Sequence, residues 1–421
     1  MSEWVEKSLK SLVSFKKGKK VYTSDLALDG YQPYLGASSL TGGEDGFAMP
    51  SGGVTCAESD ALMLWDGERS GLVGPGKHGI VSSTVMRLRP EAEMSGRYLV
   101  HCLRDRFDWI QARRTGTGVP HVPKDLGRIL NLCFPKEDLE QATICDVLDS
   151  IDAQIETTEG LIAKQERVRA GLMQDLFTRG VDEHGELRPP CEQAPHLYHQ
   201  TELGWLPVGW DAPELENLLA PVPTPMRSGP FGSALLKHEL VESGVPLLGI
   251  DNIHVESFKA DFTRFVTRRK FGELSRYRVL PDDIVITIMG TVGRCCVIPD
   301  GFGEMLSSKH LWTMSLDQSK AMPKLVCWQL CHAPWVHSWF RKKSQGGIMD
   351  AIQSSTLKQL RLPTPTLPEQ RIMSQIYEEA TSHLARMREE RAKLALHKTG
   401  LMQDLLTGKV SVAPLLESAT A

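Results

Sequence analysis

Two short stretches combine a basic dipeptide with a glycine-rich turn: Arg113-Arg114 precedes Thr115-Gly-Thr-Gly118, and Lys342-Lys343 precedes Gln345-Gly-Gly347. Cationic side chains next to the exposed amides of a tight turn suit the oxygens of a phosphate backbone. A charge run is ordinarily a solvated face. Here the same arrangement occurs twice, 229 residues apart (113 to 342), which favours phosphate contact. Further basic groups lie at Lys16, Lys17, Lys19 and Lys20, at Arg268, Arg269 and Lys270, and at Arg341 beside Lys342 and Lys343. The middle group belongs to a stretch, Arg264 to Arg278, interleaved with Phe265, Phe271 and Tyr277, as on many nucleic-acid surfaces. The formal net charge of −4 gives no support to a nucleic-acid partner, so any such contact has to be made by local clusters.

Catalytic chemistry is not written in the chain. Gly74-Pro-Gly-Lys77-His is too short for a phosphate loop and lacks its hydroxyl residue. No Gly-x-Ser-x-Gly elbow and no His-Glu-x-x-His occurs. Asp282 and Asp283 precede a strand as nuclease carboxylates do, but Ile284 to Asp300 holds no Glu or Lys to complete the set. The tetrapeptide Asn/Asp-Pro-Pro-aromatic, expected where an amino-methyltransferase holds a flipped base, is missing. The chain is therefore expected to catalyse nothing and to need no cofactor. Nine cysteines, with no Cys-x-x-Cys pair, point to reduced thiols. Cys327, Cys331 and His332 stand close in sequence with no fourth ligand apparent, so packing inside a helix is favoured over a metal, and His196 and His199 are discounted likewise. No apolar run reaches the roughly 20 residues of a membrane span. The N-terminus lacks a secretory pattern, and a cytoplasmic location is expected.

The elements that must carry these residues come in two copies. Gly171-Leu-Met-Gln-Asp-Leu176 returns letter for letter as Gly400-Leu-Met-Gln-Asp-Leu405, and the same offset pairs Glu140-Gln141 with Glu369-Gln370. Toward the N-terminus the offset shrinks steadily: Ser82-Ser83 to Ser307-Ser308 at 225, Gly67 to Gly290 at 223, Leu35-Gly36 to Leu248-Gly249 at 213, and Trp4 to Trp210 at 206. Chance matches would not keep one order. With 421 residues, 41% of them hydrophobic and 24% charged, the chain has room for a duplicated domain pair. In the second copy, Val279 to Val297 reads as two β-rich runs separated by Gly290 and Gly293; in the first, Ala61 to Trp65 and Ile80 to Leu88 have the same layout. Lys324 to Lys342 reads as helical. These features suggest an α+β fold.

Each copy ends in a long helix. Ile144, Leu148, Ile151, Ile155, Thr158, Ile162, Gln165, Arg169, Leu172 and Leu176 recur at steps of three and four, a heptad seam with polar interruptions. The second seam runs Met373, Tyr377, Ala380, Leu384, Met387, Arg391, Leu394, Lys398, Leu401, Leu405 in the same register. Thr366 to Glu369 fits a capping box, and Gly180 and Gly408 stand where the helices end. The two seams either pair with each other or each pack on their own domain. Asp182 to Trp205 reads as an extended connector, and the tail after Val410 as loose.

With these residues assembled, the chain resembles the specificity subunit of type I restriction-modification systems over almost its full length. The resemblance is carried by the two-fold organisation, by Leu367-Pro-Glu-Gln370, by Gly400-Leu-Met-Gln-Asp-Leu-Leu-Thr-Gly408, and by Arg227-Ser-Gly-Pro-Phe-Gly-Ser233, Gly244-Val-Pro-Leu-Leu-Gly249 and Gly290-Thr-Val-Gly-Arg294. Phe134-Pro-Lys-Glu-Asp-Leu-Glu-Gln141 departs from the usual Leu-Pro-Glu-Gln opening of the first helix. The resemblance implies two target-recognition domains of mixed α/β structure in pseudo-two-fold arrangement, joined by two long antiparallel coiled-coil helices. The divisions expected are 1–135 and 210–365 for the recognition domains, 136–180 and 366–408 for the spacer helices, 181–209 for the connector and 409–421 for the tail. It adds Arg227 to the DNA-binding candidates. It also implies double-stranded DNA read as a split site, two modification subunits that bind S-adenosylmethionine and methylate adenine, and restriction subunits that translocate and cut. A coiled-coil interaction protein without a DNA role explains the helices but not the repeated basic pairs.

Overall fold

In the computed structural model, residues 3–116, 118–290, 292–344 and 352–419 are described. The chain forms two compact units: Met1–Ile162 with Met387–Ala421, and Ala163–Arg386.

The first unit is built on a four-stranded antiparallel sheet in the order Val13–Lys17, Val85–Pro90, Ala61–Leu64, Val73–Pro75. All four residues of Ala61–Leu64 are buried, because the strand is covered on both faces. Its side chains alternate: Ala61 and Met63 join one core with helix residues Tyr98, Leu99 and Leu103, while Leu62 and Leu64 join another with Leu35 and Val81. A second sheet runs Thr23–Ser24, Phe47–Ala48, Gln32–Leu35, Gly79–Val81, Thr55–Cys56, with Gln32–Leu35 and Gly79–Val81 parallel.

The second unit repeats this plan. Its first sheet runs Met226–Ser228, Leu311–Met314, Ile284–Thr287, Cys295–Val297, and its second runs Phe265–Val266, Val245–Leu248, Met305–Ser307, Arg278–Val279, again with one parallel pair, Val245–Leu248 with Met305–Ser307. Ile284 and Ile286 face one core and Val285 the other. Two details of the sequence alignment shift. Leu35 pairs with Val81 and Leu248 with Ser307, so the offset there is 226 rather than 225 and Val81, not Ser82, corresponds to Ser307. The run Ile80 to Leu88 is not one strand: a turn closed by Val85 N–H to Ser82 O (2.9 Å) sends Gly79–Val81 to the second sheet and Val85–Pro90 to the first. The counterpart of the Cys295–Val297 strand is Val73–Pro75. Lys324 to Lys342 is likewise two helices, Pro323–His332 and Pro334–Ser344.

Two long helices, Asp138–Thr178 and Leu367–Leu405, have 41 and 39 residues, each about 60 Å long at 1.5 Å per residue. Within the first unit they meet through Ile144, Cys145 and Leu148 sharing a core with Met402, Leu405 and Leu406, through Lys398 on Asp152, and through Arg391 Nε on Glu159 at 2.8 Å. As numbers rise on one helix they fall on the other, so these segments run antiparallel. In the second unit Met173 and Leu176 share a core with Met373 and Tyr377, and the Arg169 guanidinium stands 5.6 Å from the Tyr377 ring centre, again antiparallel. Ile151, Met373, Tyr377, Leu384 and Leu405 of the seams are buried, and Ile155, Leu172, Leu394 and Leu401 are half-buried. Gly180 and Gly408 end the helices with φ of 61° and 70°; a Cβ at either would strike a tryptophan ring, Trp210 or Trp4 respectively.

Three expectations are corrected. The stretch 181–209 is not an extended connector: Tyr198–Thr201 pairs with Gly204–Pro207, the Tyr198 hydroxyl donates to Pro189 O at 2.6 Å, and Val181 and Leu206 are buried in the second unit's core. The tail is not loose, since Val412 is buried in the first unit's core and Ala413–Ala419 is helical. The Glu369 carboxylate does not close a capping box; it is buried against Arg188, accepts from the Val181 N–H at 2.9 Å and accepts from Trp210 Nε1 at 2.9 Å. A buried carboxylate with a guanidinium in reach goes to the charge rather than to a helix-end amide.

Candidate nucleic-acid interface

The duplicated basic pairs stand on duplicated platforms. After the helix Gly96–Asp105 comes the short helix Phe107–Gln111, and the Arg113 guanidinium lies 3.9 Å over the Trp109 ring while donating to Trp109 O at 3.1 Å. In the second unit, Lys343 Nζ lies 4.9 Å over the ring of Trp339, whose Nε1 donates to Thr356 O at 2.9 Å. Tryptophan and cation are four residues apart in both: Trp339 and Lys343 share a face of the helix Pro334–Ser344, Arg113 stands in the turn just past Phe107–Gln111, and in each the ring quadrupole attracts an exposed cation. By this ring contact Arg113 matches Lys343, an offset of 230 (109 to 339). Arg113, Arg341, Lys342 and Lys343 are exposed. Arg114 is half-buried and donates to Gln111 O at 3.0 Å and Glu68 O at 2.6 Å, so it fastens the turn. The two tryptophans are site residues that the basic clusters alone do not reveal, although their four-residue spacing to a cation in both copies is a signal visible in the sequence.

In the first unit the turn after the basic pair meets the N-terminal basic stretch. Thr115 and His121 exchange backbone hydrogen bonds around Gly116, whose φ of 104° suits glycine. Asp66 accepts from His121 Nδ1 at 2.7 Å and pairs with Lys17 at 2.7 Å. One carboxylate thus ties the end of the strand carrying Lys16 and Lys17 to the turn carrying Arg113. Lys16, Lys19 and Lys20 are exposed beside it. In the second unit the corresponding turn, Gln345-Gly-Gly347, lies outside the described residues, as do Thr117 and Thr291 of the other glycine-rich stretches.

Besides Arg114 and Lys17, two more of the proposed DNA-contacting residues are used internally. Arg227 is buried, ion-paired with Asp283, and donates from Nε to Arg278 O at 2.7 Å and from Nη1 to the Ser315 hydroxyl at 2.9 Å. Burial pushes the Asp283 carboxyl up despite the adjacent guanidinium, and pushes Arg227 down. Such a side chain is not available to a phosphate. Lys270, 16% exposed, bonds Glu239 at 2.8 Å and pins the helix Arg268–Glu273 to the turn Lys237–Glu239. Arg268 and Arg269 are open, 83% and 91% exposed, with surface pairs to Glu304 and Glu273 that solvent screens.

Among the described residues no helix is long and apolar enough to cross a membrane. Residues 1–167 match the family model described as the type I restriction modification DNA specificity domain. The specificity subunit of the type I restriction enzyme MjaVIII from Methanocaldococcus jannaschii is 26% identical over 424 residues, spanning 98% of this chain and 94% of that one. The crystal structure of a type I restriction-modification S subunit from M. genitalium shares the fold with a TM-score of 0.58 at 18% identity, over 96% of both chains. A second solved chain, from work on complex assembly and conformational transition of the type I R-M system, gives 0.54 at 16% identity over 97% of this chain and 98% of that one. The matched N-terminal segment and a relative alike from end to end agree: over nearly its whole length the chain is similar to DNA specificity subunits of type I restriction-modification systems.

Proposed function

We propose that this chain is the non-catalytic subunit that selects the DNA site of a type I restriction-modification complex. Residues 1–135 and 210–365 each read one half of a bipartite site, in pseudo-two-fold arrangement. The helices of 136–180 and 366–408 act as a coiled-coil spacer. The observation that carries the reading is the double occurrence of one arrangement: a four-stranded first sheet in the same strand order and a second sheet built around one parallel pair, followed by a tryptophan-held cation. Two equivalent domains suit two half-sites, as paired recognition elements do elsewhere. Phosphate contacts from Arg113, Lys342, Lys343 and the lysines at 16, 19 and 20 would fix position, and base edges would be read by other residues.

Methyl transfer to adenine and cleavage belong, in this proposal, to partners acting in the cytoplasm: two modification subunits holding S-adenosylmethionine and, for cleavage, restriction subunits. The sequence supports this by lacking the residues that hold a flipped base or a catalytic metal. Mapping methyladenine in cells that carry the chain with its modification subunit tests the proposal. Two short sequences separated by unspecified bases are expected; one uninterrupted motif would refute the two-reader assignment.

A further inference from the structure

The first sheet of the second unit brings a third cysteine to a pair that the sequence leaves without partners. Cys327 and Cys331 stand four residues apart on the helix Pro323–His332, so they share one face, and that face lies on the strand Cys295–Val297. The sulfurs of Cys295, Cys327 and Cys331 all lie within 4.8 Å of one another. Cys295 and Cys327 are buried, and Cys331 is half-buried.

The fold does not require thiols here. The corresponding positions in the first unit, matched through strand register and helix start, are Val73, Val100 and Arg104. Arg104 Nε donates to Val73 O at 3.3 Å, and Cys331 Sγ donates to Cys295 O at the same 3.3 Å. One backbone geometry therefore holds an ordinary apolar and charged set in one unit and three thiols in the other.

We infer that Cys295, Cys327 and Cys331 form a three-sulfur site for a soft d10 metal ion, Zn2+ or Cu+. At a metal–sulfur distance of about 2.3 Å, three sulfurs around one ion stand about 4 Å apart, so the cluster needs less than about 1 Å of adjustment. The donor set is all sulfur, which selects thiophilic ions over Mg2+ or Ca2+. The Glu256 carboxylate, bonded to His332 next to Cys331 in sequence, is also engaged by the Tyr377 hydroxyl at 2.8 Å and by Arg169 at 3.7 Å. Binding would release the thiol protons to solvent and clamp the strand to the helix, a structural role separate from DNA reading. The other close group of possible ligands, His101 with Asp149 and Asp152, is engaged by Arg97, Arg104 and Lys398, and carries no such inference.

The test uses the full chain, reduced and stripped by a chelator, then titrated with Zn2+ or, without oxygen, with Cu+, each against a chromophoric competitor. One equivalent per chain is expected for at least one of the two ions, with a rise in melting temperature, and the two titrations show which ion is preferred. Cys327→Ser and, separately, the half-buried Cys331→Ser should weaken binding by at least about 100-fold. Cys102→Ser in the first unit should leave it unchanged. No stoichiometric binding of either ion by the wild-type chain would overturn the inference, as would undiminished binding by folded Cys331→Ser. Mild oxidation that yields a disulfide within the trio, in a chain that never takes up metal, would also overturn it.

Discussion

The two units answer one problem in two ways, and the difference shows which parts of the fold are fixed. Each buries an aspartate at the same place in its first sheet: Asp60 in one, Asp283 in the other. In the first unit, Arg89 on the adjacent strand binds Asp60 in bidentate fashion at 2.7 and 2.9 Å; burial pushes the Asp60 carboxyl up, but the Arg89 hydrogen bonds, the Ala57 N–H and the charges of Arg89 and Arg87 together bring it below its ordinary value. In the second, the residue at Arg89's place is Ser315, and the cation comes instead from the next strand, as Arg227. The position matching Arg227 in the first unit is Lys16, which points to solvent. The fold fixes the carboxylate, and the cation is free to move between strands. This is why Arg227 resembles a DNA contact in the sequence and is in fact structural.

A second comparison shows identity instead of exchange. Gln141 Oε1 accepts from the Ser95 N–H at 3.0 Å, and its amide donates to Glu93 O at 2.9 Å and Pro135 O at 3.0 Å. Gln370 does the same with the Met322 N–H at 2.8 Å, Lys320 O at 2.9 Å and Pro365 O at 2.8 Å. Both glutamines are fully buried and fasten the start of a long helix to the loop before a shorter one. Three partners with fixed geometry leave no room for another side chain, so the letter recurs.

The largest effect expected from breaking these comparisons is at Arg227. Arg227→Leu strands a buried Asp283 and should cost about 3–5 kcal/mol, whereas Arg227→Leu with Asp283→Leu should recover most of that loss. Denaturant unfolding of the two variants decides it, and a double variant as unstable as the single would mean the arginine does more than neutralise Asp283. Next come Gln141→Leu and Gln370→Leu. Each orphans a part-buried backbone N–H and two carbonyls, at roughly 1–3 kcal/mol for a group left unsatisfied, and the two should cost similar amounts. Amide exchange at Ser95 and at Met322 should accelerate in the respective variants; a response in one unit only would limit the equivalence to sequence. A smaller, functional effect is expected from Lys342→Ala with Lys343→Ala. Affinity for all DNA sequences should fall about equally, and the salt slope should drop by roughly one for each phosphate that is no longer neutralised. A changed base preference would make these residues readers of sequence, and no change would make them a solvated helix end.

Much of the plan is legible in the sequence because the duplicated elements keep their letters where geometry is tightest: the buried glutamines, the glycines closing the helices, and the last seam leucines, Leu172 and Leu176 with Leu401 and Leu405. What stays hidden there depends on pairing across distance. Nothing near Arg227 in sequence reveals that Asp283 lies beside it, and nothing near Cys327 reveals Cys295. Prolines at 189, 190 and 195 suggest an extended connector, while the hairpin after them is stabilised by contacts with the second unit's core. In the interface, the basic residues are visible as clusters, but only exposure separates Arg113, Arg268 and Lys343 from Lys270 and Arg227.

The central claim is that two readers act on two half-sites and that the long helices set the distance between those half-sites. Its most direct test is a methylation-site map of a variant with four residues inserted near one end of Ile144 to Leu176. The insertion adds one turn and about 6 Å of helix, which corresponds to one or two base pairs at about 3.4 Å each. The account predicts the same two half-site sequences with a gap longer by one or two base pairs. Full activity with an unchanged gap would contradict it.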